Sequence, residues 1–290
     1  MSLEPDHDVV KRFGVEVVAV LGGRLNQHWL VNRRGESLVL RRWSATPNDL
    51  EYEAKLLERV AALGWPVAPI LERHTDAAGR NWSLSAFLSG ELAADKNSPI
   101  EQRSRGRLLA EFHASLETIA DLGQREGWRR GEDILQDASL EPLLIAFERT
   151  DPQEARVLLW HLERARELIA PLEPRARAGS AVHGDFTPWN LLFWNGKLTG
   201  ILDFELARSD HRIADFALAW RGQYDDVIAA YNEISPLEAE EWALLTPLWW
   251  AQLIEGACRN LRAGVRDDGW TLKMLLRRSK LMGVASSTYG

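Results

Sequence analysis

His183-Gly184-Asp185-Phe186-Thr187-Pro188-Trp189-Asn190 is followed by Asp203-Phe204-Glu205. These residue types at this spacing suit phosphoryl transfer. A carboxylate within hydrogen-bond reach of a hydroxyl can take its proton, and Asp185 offers that group. Mg²⁺ takes oxygen ligands in nearly octahedral geometry, commonly one or two carboxylates with phosphates and waters. Asn190 offers a neutral oxygen and Asp203 an anionic one. The transferring group spreads negative charge over its oxygens, so positioning and electrostatic stabilisation make up most of the catalysis. Pro188 stiffens the loop by fixing its own φ and removing an N–H.

Several elements must position these groups. Leu191-Leu192-Phe193-Trp194 is a short apolar strand, and Asn195-Gly196 is a two-residue hairpin signal. Lys197 to Leu202 returns, with Asp203 at its end, so the hairpin carries Asp203 back beside Asn190. Upstream, Val15 to Leu21 is a β-branched apolar run. Gly22-Gly23-Arg24-Leu25-Asn26 breaks it and Gln27 to Val31 is extended again. Such glycines let backbone N–H groups approach phosphates, although an ordinary hairpin carries the same local signature. Arg33-Arg34-Gly35-Glu36 is the next turn. Ser37 to Arg41 is a strand, on which Arg41 and Arg42 point to opposite faces. Leu50, Ala54, Leu57 and Ala61 recur at helical spacing over Asp49 to Leu63. Trp82 to Leu88 is another apolar strand, and Ser89-Gly90-Glu91 follows it.

His-x-Asp-x-x-x-x-Asn followed by Asp-Phe-Glu parallels the catalytic and metal loops of protein kinases. Gly184 stands where those enzymes have Arg, and Glu205 where they have Gly. With these departures the chain resembles the aminoglycoside phosphotransferase family, which includes choline, homoserine and methylthioribose kinases. The resemblance runs from the Gly22 turn to the last helices. It implies an α+β, bilobal, protein-kinase-like fold. Residues 1–88 would form a nucleotide-binding lobe with a small antiparallel sheet, and 89–290 a mainly helical catalytic and acceptor-binding lobe.

The resemblance also implies roles. Asp185 is the base, and Asn190 and Asp203 bind Mg²⁺. Gly22 and Gly23 form a phosphate lid shorter than G-x-G-x-x-G. Arg41 replaces the phosphate-binding Lys, keeping its charge with a different donor fork, and Glu53 is its ion-pair partner. Phe87 and Ser89 belong to a hinge that meets the adenine edge. Asp215, in Asp215-Phe216-Ala217, braces the catalytic loop or is simply a helix N-terminal acid. His183 props the loop. Glu205 lines the acceptor site, reaches metal through water, or stands by.

Downstream the chain reads as helical. Leu108, Leu109, Phe112, His113 and Leu116 share one stripe of a helix over Ile100 to Ile119, and His113 is expected to be a satisfied core histidine. Further helices are expected over Ala155 to Leu172 (ended by Pro174), Ile213 to Gly222, Asp225 to Ile234, Glu238 to Arg262 (kinked at Pro247) and Trp270 to Leu281.

At 290 residues and 46% hydrophobic, the chain can bury a sizeable core. No apolar run reaches a membrane span, and the N-terminus lacks a basic-then-apolar signal pattern. The single Cys258 excludes an intrachain disulfide and fits the cytoplasm; its apolar helical setting suggests a buried, inert thiol. No Cys/His cluster suggests zinc. The net charge of −7 argues against nucleic acid and suits a cationic acceptor. Of the thirteen Trp, Trp189 lies in the catalytic loop. Trp249-Trp250 lie in the late helices that the resemblance assigns to the acceptor wall, where aromatic faces could stack a ring or quaternary amine. Core packing accounts for most of the others.

The expected activity is Mg²⁺-dependent transfer of the γ-phosphate of ATP or GTP to a hydroxyl of a small molecule, such as an aminoglycoside-like antibiotic. A metabolic kinase of an amino alcohol or sugar (homoserine, choline or methylthioribose type) is an alternative. A catalytically silent nucleotide-binding scaffold is another, but its usual mark is a lost base or metal ligand, and Asp185, Asn190 and Asp203 are all present. A protein kinase is disfavoured by the missing Ala-Pro-Glu element after Asp203. No motif selects the acceptor, the nucleotide base or an oligomeric state.

Overall fold

The computed structural model describes residues 4–23, 26–44, 47–119, 122–172, 180–266 and 268–282. The elements in chain order are α1 (His7–Phe13), β1 (Glu16–Gly22), β2 (Gln27–Arg33), β3 (Glu36–Arg42), α2 (Pro47–Ala62), β4 (Ile70–Thr75), β5 (Asn81–Ala86), β6 (Glu91–Leu92), α3 (Pro99–Leu116), α4 (Gly131–Leu135), α5 (Leu140–Phe147), α6 (Pro152–Ile169), β7 (Ser180–Val182), β8 (Leu191–Trp194), β9 (Lys197–Ile201), β10 (Arg208–Asp210), α7 (Phe216–Ala219), α8 (Asp225–Ile234), α9 (Ala239–Arg262) and α10 (Trp270–Leu275). They fold into two compact units. The first takes residues 1–94, 121–126 and 189–205, and the second takes the remainder.

The first unit is built on an antiparallel sheet in the order β1-β2-β3-β5-β4. Side chains alternate across it. Leu38 and Leu40 of β3 face Trp29, Val31, Trp82 and Leu84, and Val9 and Phe13 of α1 complete this core. Helix α1 ends because Gly14 adopts φ 61° and its N–H caps the Val10 and Lys11 carbonyls. Arg42 lies on the core face, 6.0 Å over the Trp82 ring, so Arg41 falls on the other. Strand β1 departs from its apolar pattern. Val17, Val18, Val20 and Leu21 are 41–60% exposed, because β1 is the sheet edge and its register slips at two places.

Asn195 (φ 49°) and Gly196 (φ 76°) turn β8 into β9, the double positive φ of a tight hairpin. The hairpin joins the first unit. β8 pairs with β6, and Ile201 N–H donates to the Pro66 carbonyl at 2.8 Å. The division therefore differs from the single boundary expected after residue 88.

The second unit is mainly helical. Pro99 and Pro152 open α3 and α6 at positions where no N–H is missed. Ser98 and Asp151 accept from the Glu101 and Glu154 amides. Gly106 lets α3 approach α8, since a Cβ there would lie 2.1 Å from the Val227 carbonyl oxygen. Between α6 and α9, Trp250 meets Trp160 and His161 edge-on. Pro247 lies inside α9 without interrupting it. The helix expected over 213–222 is instead a 3-10 turn, Arg212–Asp215, and the short α7, because Arg221 (φ 55°) and Gly222 (φ 67°) reverse the backbone sense. The last helix stops at Leu275 rather than 281. The expected turn residues Arg24-Leu25 and the expected helix stop Pro174 lie outside the described residues.

His161 is fully buried and its Nδ1 meets the Val157 carbonyl at 2.7 Å. Burial pushes the imidazole from 6.5 down to about 4 despite that contact. The folded state therefore holds fewer protons than the unfolded one between these two values. This contribution leaves stability unchanged above pH 6.5 and lowers it progressively as pH falls toward 4. The His161→Gln variant should flatten that part of the Tm–pH curve. Parallel curves for variant and wild type across the window would remove His161 as the source.

Candidate active site

Within the first unit, strand alternation puts Arg41 on the face away from the core, where α2 supplies Glu53. Arg41 Nη1 donates to Glu53 Oε1 at 2.5 Å, and Glu53 is 1% exposed. A carboxylate this buried needs a close cation. The guanidinium lies over Trp43, 3.7 Å from the ring centroid, which fixes its plane. Its Nη2 is 3.5 Å from Glu205 Oε2. Nε and Nη2 have no hydrogen-bond partner among the described residues, so this cation retains donors that suit an anionic oxygen.

Asn26 ties two loops to this cluster. Its Oδ1 accepts from the Ser44 amide at 2.9 Å, and its amide group donates to Glu205. Gly22 (φ 88°) and Gly23 (φ 128°) precede it. A Cβ on Gly23 would lie 1.9 Å from the Asn26 carbonyl oxygen, so only glycine fits. His28 Nδ1 meets the Gly22 carbonyl at 3.2 Å beneath this turn.

Leu202 N–H donates to the Asn190 carbonyl at 2.8 Å, which sets Asn190 and Asp203 side by side at the base of the hairpin. Asp203 has φ 63°, a left-handed conformation that Asp tolerates better than most residues. Burial, then the charge on Asp203, raises the Glu205 carboxyl to about 7 against Arg41 and Asn26. Among the described residues no three His, Cys, Asp or Glu group into a stand-alone metal cage. Mg²⁺ bound with phosphates and waters needs only one or two protein oxygens. Asn190 and Asp203 fit that set, and the Asp203 charge, which adds to the burial that lifts Glu205, is what a divalent cation would offset.

Within the second unit, β7 pairs with β10 and leads into His183. Asp215, fully buried, accepts from the amides of His183 (2.9 Å) and Gly184, and its Oδ2 is 2.8 Å from His113 Nε2. His113 Nδ1 meets the Tyr231 hydroxyl at 2.9 Å. Burial alone would raise the Asp215 carboxyl, but His113 and the His183 amide outweigh it and hold it below its ordinary value. Gly184 has φ 81°, and a Cβ there would sit 2.3 Å from the Leu206 carbonyl oxygen. The Asp185 amide donates to His183 Nδ1 at 3.1 Å, and the Asp185 carbonyl accepts from Thr187 at 2.8 Å. Arg221 is electrostatically coupled to Asp185, though burial lowers its own pKa.

Phe87 and Ser89, expected from the sequence to belong to a hinge, lie in the first unit. Phe87 N–H donates to the Ser37 carbonyl at 3.2 Å, and the Ser89 carbonyl accepts from Thr199 at 2.9 Å. Trp249 and Trp250 are 2% and 1% exposed. They pack on Trp220 and on Trp160 with His161, which makes them core residues and corrects their expected place in an acceptor wall. Trp189 is 44% exposed. The sequence pattern did not mark Asn26, Arg125 or Arg221. Asn26 had a usable signal in its place closing the Gly-Gly turn; the two arginines reach their partners only through tertiary folding.

The sequence profile of the phosphotransferase enzyme family matches residues 16–246. The chain is 29% identical over 217 residues to a homoserine kinase of Methylobacterium radiotolerans, covering 68% of this chain and 64% of that protein, so it spans just under two thirds of that relative's length. Among solved structures it resembles a thermostable mutant of the aminoglycoside phosphotransferase APH(4)-Ia in a ternary complex with ADP and hygromycin B. The TM-score is 0.70 at 17% identity, covering 98% of each chain. It also resembles a microcompartment-associated aminopropanol kinase, with TM-score 0.63 at 16% identity over 93% of each chain.

The Asp215 carboxylate satisfies two buried amides and an imidazole. Asp215→Asn should therefore cost about 3 kcal/mol of stability, the scale of a broken buried pair. Urea unfolding measures it. A midpoint unchanged from wild type would show that the loop amides do not depend on this carboxylate.

Proposed function

The chain belongs to the phosphotransferase enzyme family, and from that premise we propose that it transfers the γ-phosphate of ATP or GTP to a hydroxyl of a small molecule. The observation that carries this reading is Arg41. It is a largely covered cation gripped by the buried Glu53 that still has donors without hydrogen-bond partners, in the same unit as the adjacent pair Asn190 and Asp203.

Asp185 takes the proton of the acceptor hydroxyl as that oxygen bonds to the γ-phosphorus, and the bridging bond to the nucleoside diphosphate breaks. Arg41 clamps phosphate oxygens through its remaining donors. The amides around Gly22 and Gly23 cover the phosphates. The backbone at Phe87 to Ser89 meets the adenine edge. Asn190 and Asp203 would hold Mg²⁺, which when bound would offset negative charge on the phosphates. Glu205 holds Asn26 and flanks Arg41, so it orders the phosphate side.

The acceptor is an amine-bearing alcohol. The proteins this chain resembles are named for homoserine, aminoglycosides and aminopropanol, and a net charge of −7 attracts a cation. A metabolic acceptor of the homoserine type is favoured over an antibiotic by the curated relatives, which are named homoserine kinases. A single thiol, Cys258, buried and pushed up to about 11 by that burial, supports a cytoplasmic setting. No described helix is long and apolar enough to cross a membrane.

The test is a panel of homoserine, choline, methylthioribose, aminopropanol and aminoglycosides with ATP or GTP and Mg²⁺. Diphosphate release and ³¹P NMR of the product would be read. Mg-nucleotide binding with no transfer to any acceptor would favour a silent scaffold.

Two variant sets sharpen this. Asp185→Asn keeps the shape and removes the proton acceptor. Turnover should fall about 10²- to 10⁴-fold with nucleotide binding retained, and near-normal turnover would remove Asp185 as the base. Arg41→Ala should weaken Mg-nucleotide binding and slow transfer. Arg41→Lys should restore only part of both, since Lys returns charge without the planar fork. Arg42→Ala, on the core face, should change nucleotide affinity far less. Calorimetric titrations showing the larger defect at Arg42 would reverse the assignment.

A further inference from the structure

We propose that Arg125 is a positioning residue that locks helix α2 to the Asp203 loop, so that one buried guanidinium sets the phosphate clamp and the metal-side loop together. The proposal rests on the kinase reading above for what those two parts do. It rests on geometry for the lock itself.

Arg125 comes from the short stretch 121–126, which the first unit takes from between two stretches of the second. Its side chain is 2% exposed. Each donor group of the fork faces a different partner. Nε donates to Asp49 Oδ1 at 2.6 Å, at the start of α2. Nη2 is 3.7 Å from Glu53 Oε2, one helical turn on. Nη1 donates to the Phe204 carbonyl at 3.2 Å. The ring of Tyr52 lies below, 5.6 Å from the guanidinium carbon. A planar fork can span three acceptors in this way, and an ammonium on a flexible stem cannot.

Phe204 sits between Asp203 and Glu205, so holding its carbonyl fixes the backbone that presents both carboxylates. Glu53 has one oxygen on Arg41 and the other toward Arg125. Removing Arg125 would leave Glu53 deeply buried with a single cation and would free the loop. Partners that orient a metal-binding group from behind are often worth as much as the ligands themselves.

The experiment compares Arg125→Met and Arg125→Lys with wild type and with a control of similar thermal stability elsewhere in the first unit. Asp76→Asn serves as that control. Asp76 accepts from Trp82 Nε1 at 2.9 Å and Arg80 Nε at 2.7 Å, away from the proposed machinery. Amide hydrogen exchange on the nucleotide-free proteins is read first. Exchange should speed up in residues 202–206 and 49–53 in Arg125→Met and stay near wild type there in Asp76→Asn. Next, the Mg²⁺ concentration that half-saturates nucleotide binding should rise about 10- to 100-fold in Arg125→Met. Arg125→Lys should recover part of the Tm and little of the Mg²⁺ affinity.

Unchanged exchange in both segments overturns the lock. An equal rise in the Mg²⁺ requirement in Asp76→Asn reduces Arg125 to a general stability contact and overturns it too. If Arg125→Met does not fold, the exchange and Mg²⁺ measurements on Arg125→Lys decide. A wild-type protein that binds no Mg-nucleotide fails the kinase reading, and the exchange measurement then still decides the lock by itself.

Discussion

Glu53 is a carboxylate on an amphipathic helix, yet it faces inward and keeps 1% of its surface exposed. Withdrawing such a group from water costs several kcal/mol unless cations and hydrogen bonds replace the solvent. Two guanidinium groups do so, Arg41 from the sheet and Arg125 from a loop. Much else in the first unit follows from satisfying this one charge. Strand β3 must keep the register that turns Arg41 away from the core. Helix α2 must hold Asp49, Tyr52 and Glu53 toward the same cation. The loop after β9 must bring the Phe204 carbonyl within reach. A cation gripped on one side by a buried carboxylate also keeps its remaining donors aimed, which is the pre-organisation that phosphate binding requires.

The second unit solves a parallel problem by different means. Asp215 has no exposed surface, and among the described residues its hydrogen bonds come from no guanidinium. Two backbone amides and an imidazole take that place. Bonds from the His113 imidazole, and then from the His183 amide, outweigh burial and pull Asp215 below its ordinary pKa, whereas burial raises Glu205. The consequence is local and geometric. The chain at His183 and Gly184 is held to the carboxylate, and Gly184 turns through a left-handed conformation against Leu206. The backbone bearing Asp185 is thereby fixed without any regular secondary structure. The Gly that distinguishes this loop from that of protein kinases is required by this close approach as well as by φ.

Features carried by local chemistry were legible in the sequence. Asn195-Gly196 announced its hairpin because few other pairs adopt two positive φ values. Alternation alone separated Arg41 from Arg42. The pairing with Glu53 came from family resemblance, since nothing local joins a strand to a helix twelve residues on. The apolar run of β1 gave a strand but not its burial, because an edge strand has the same composition whether or not anything covers it. The helix expected over Ile213 to Gly222 was cut short by positive φ at Arg221, a residue type that gives no warning of it. Arg125 lay in a loop without periodicity, and its three partners come from parts of the chain that only folding assembles. Two lobes were expected, but the place of the β8–β9 hairpin in the first unit was hidden for the same reason, since it joins through β6 and Pro66.

The parts of the chain that are hardest to alter are those that hold buried charge. A changed residue at Glu53, Arg125 or Asp215 leaves a charge or several amides without compensation, a penalty of about 3–5 kcal/mol that is a large share of an ordinary domain's stability. Acceptor recognition carries no such constraint. Trp249 and Trp250, the aromatic residues best placed in sequence to form an acceptor wall, are committed to the core, so on the proposed function selectivity would fall to other side chains, those of exposed and connecting segments being the ones that can change without unfolding the chain. A scaffold constrained in this way keeps its fold while its acceptor drifts. Proteins named for homoserine, aminoglycosides and aminopropanol all resemble this chain at 16–29% identity. No motif records such changes, so on the proposed function the acceptor is to be found by assay.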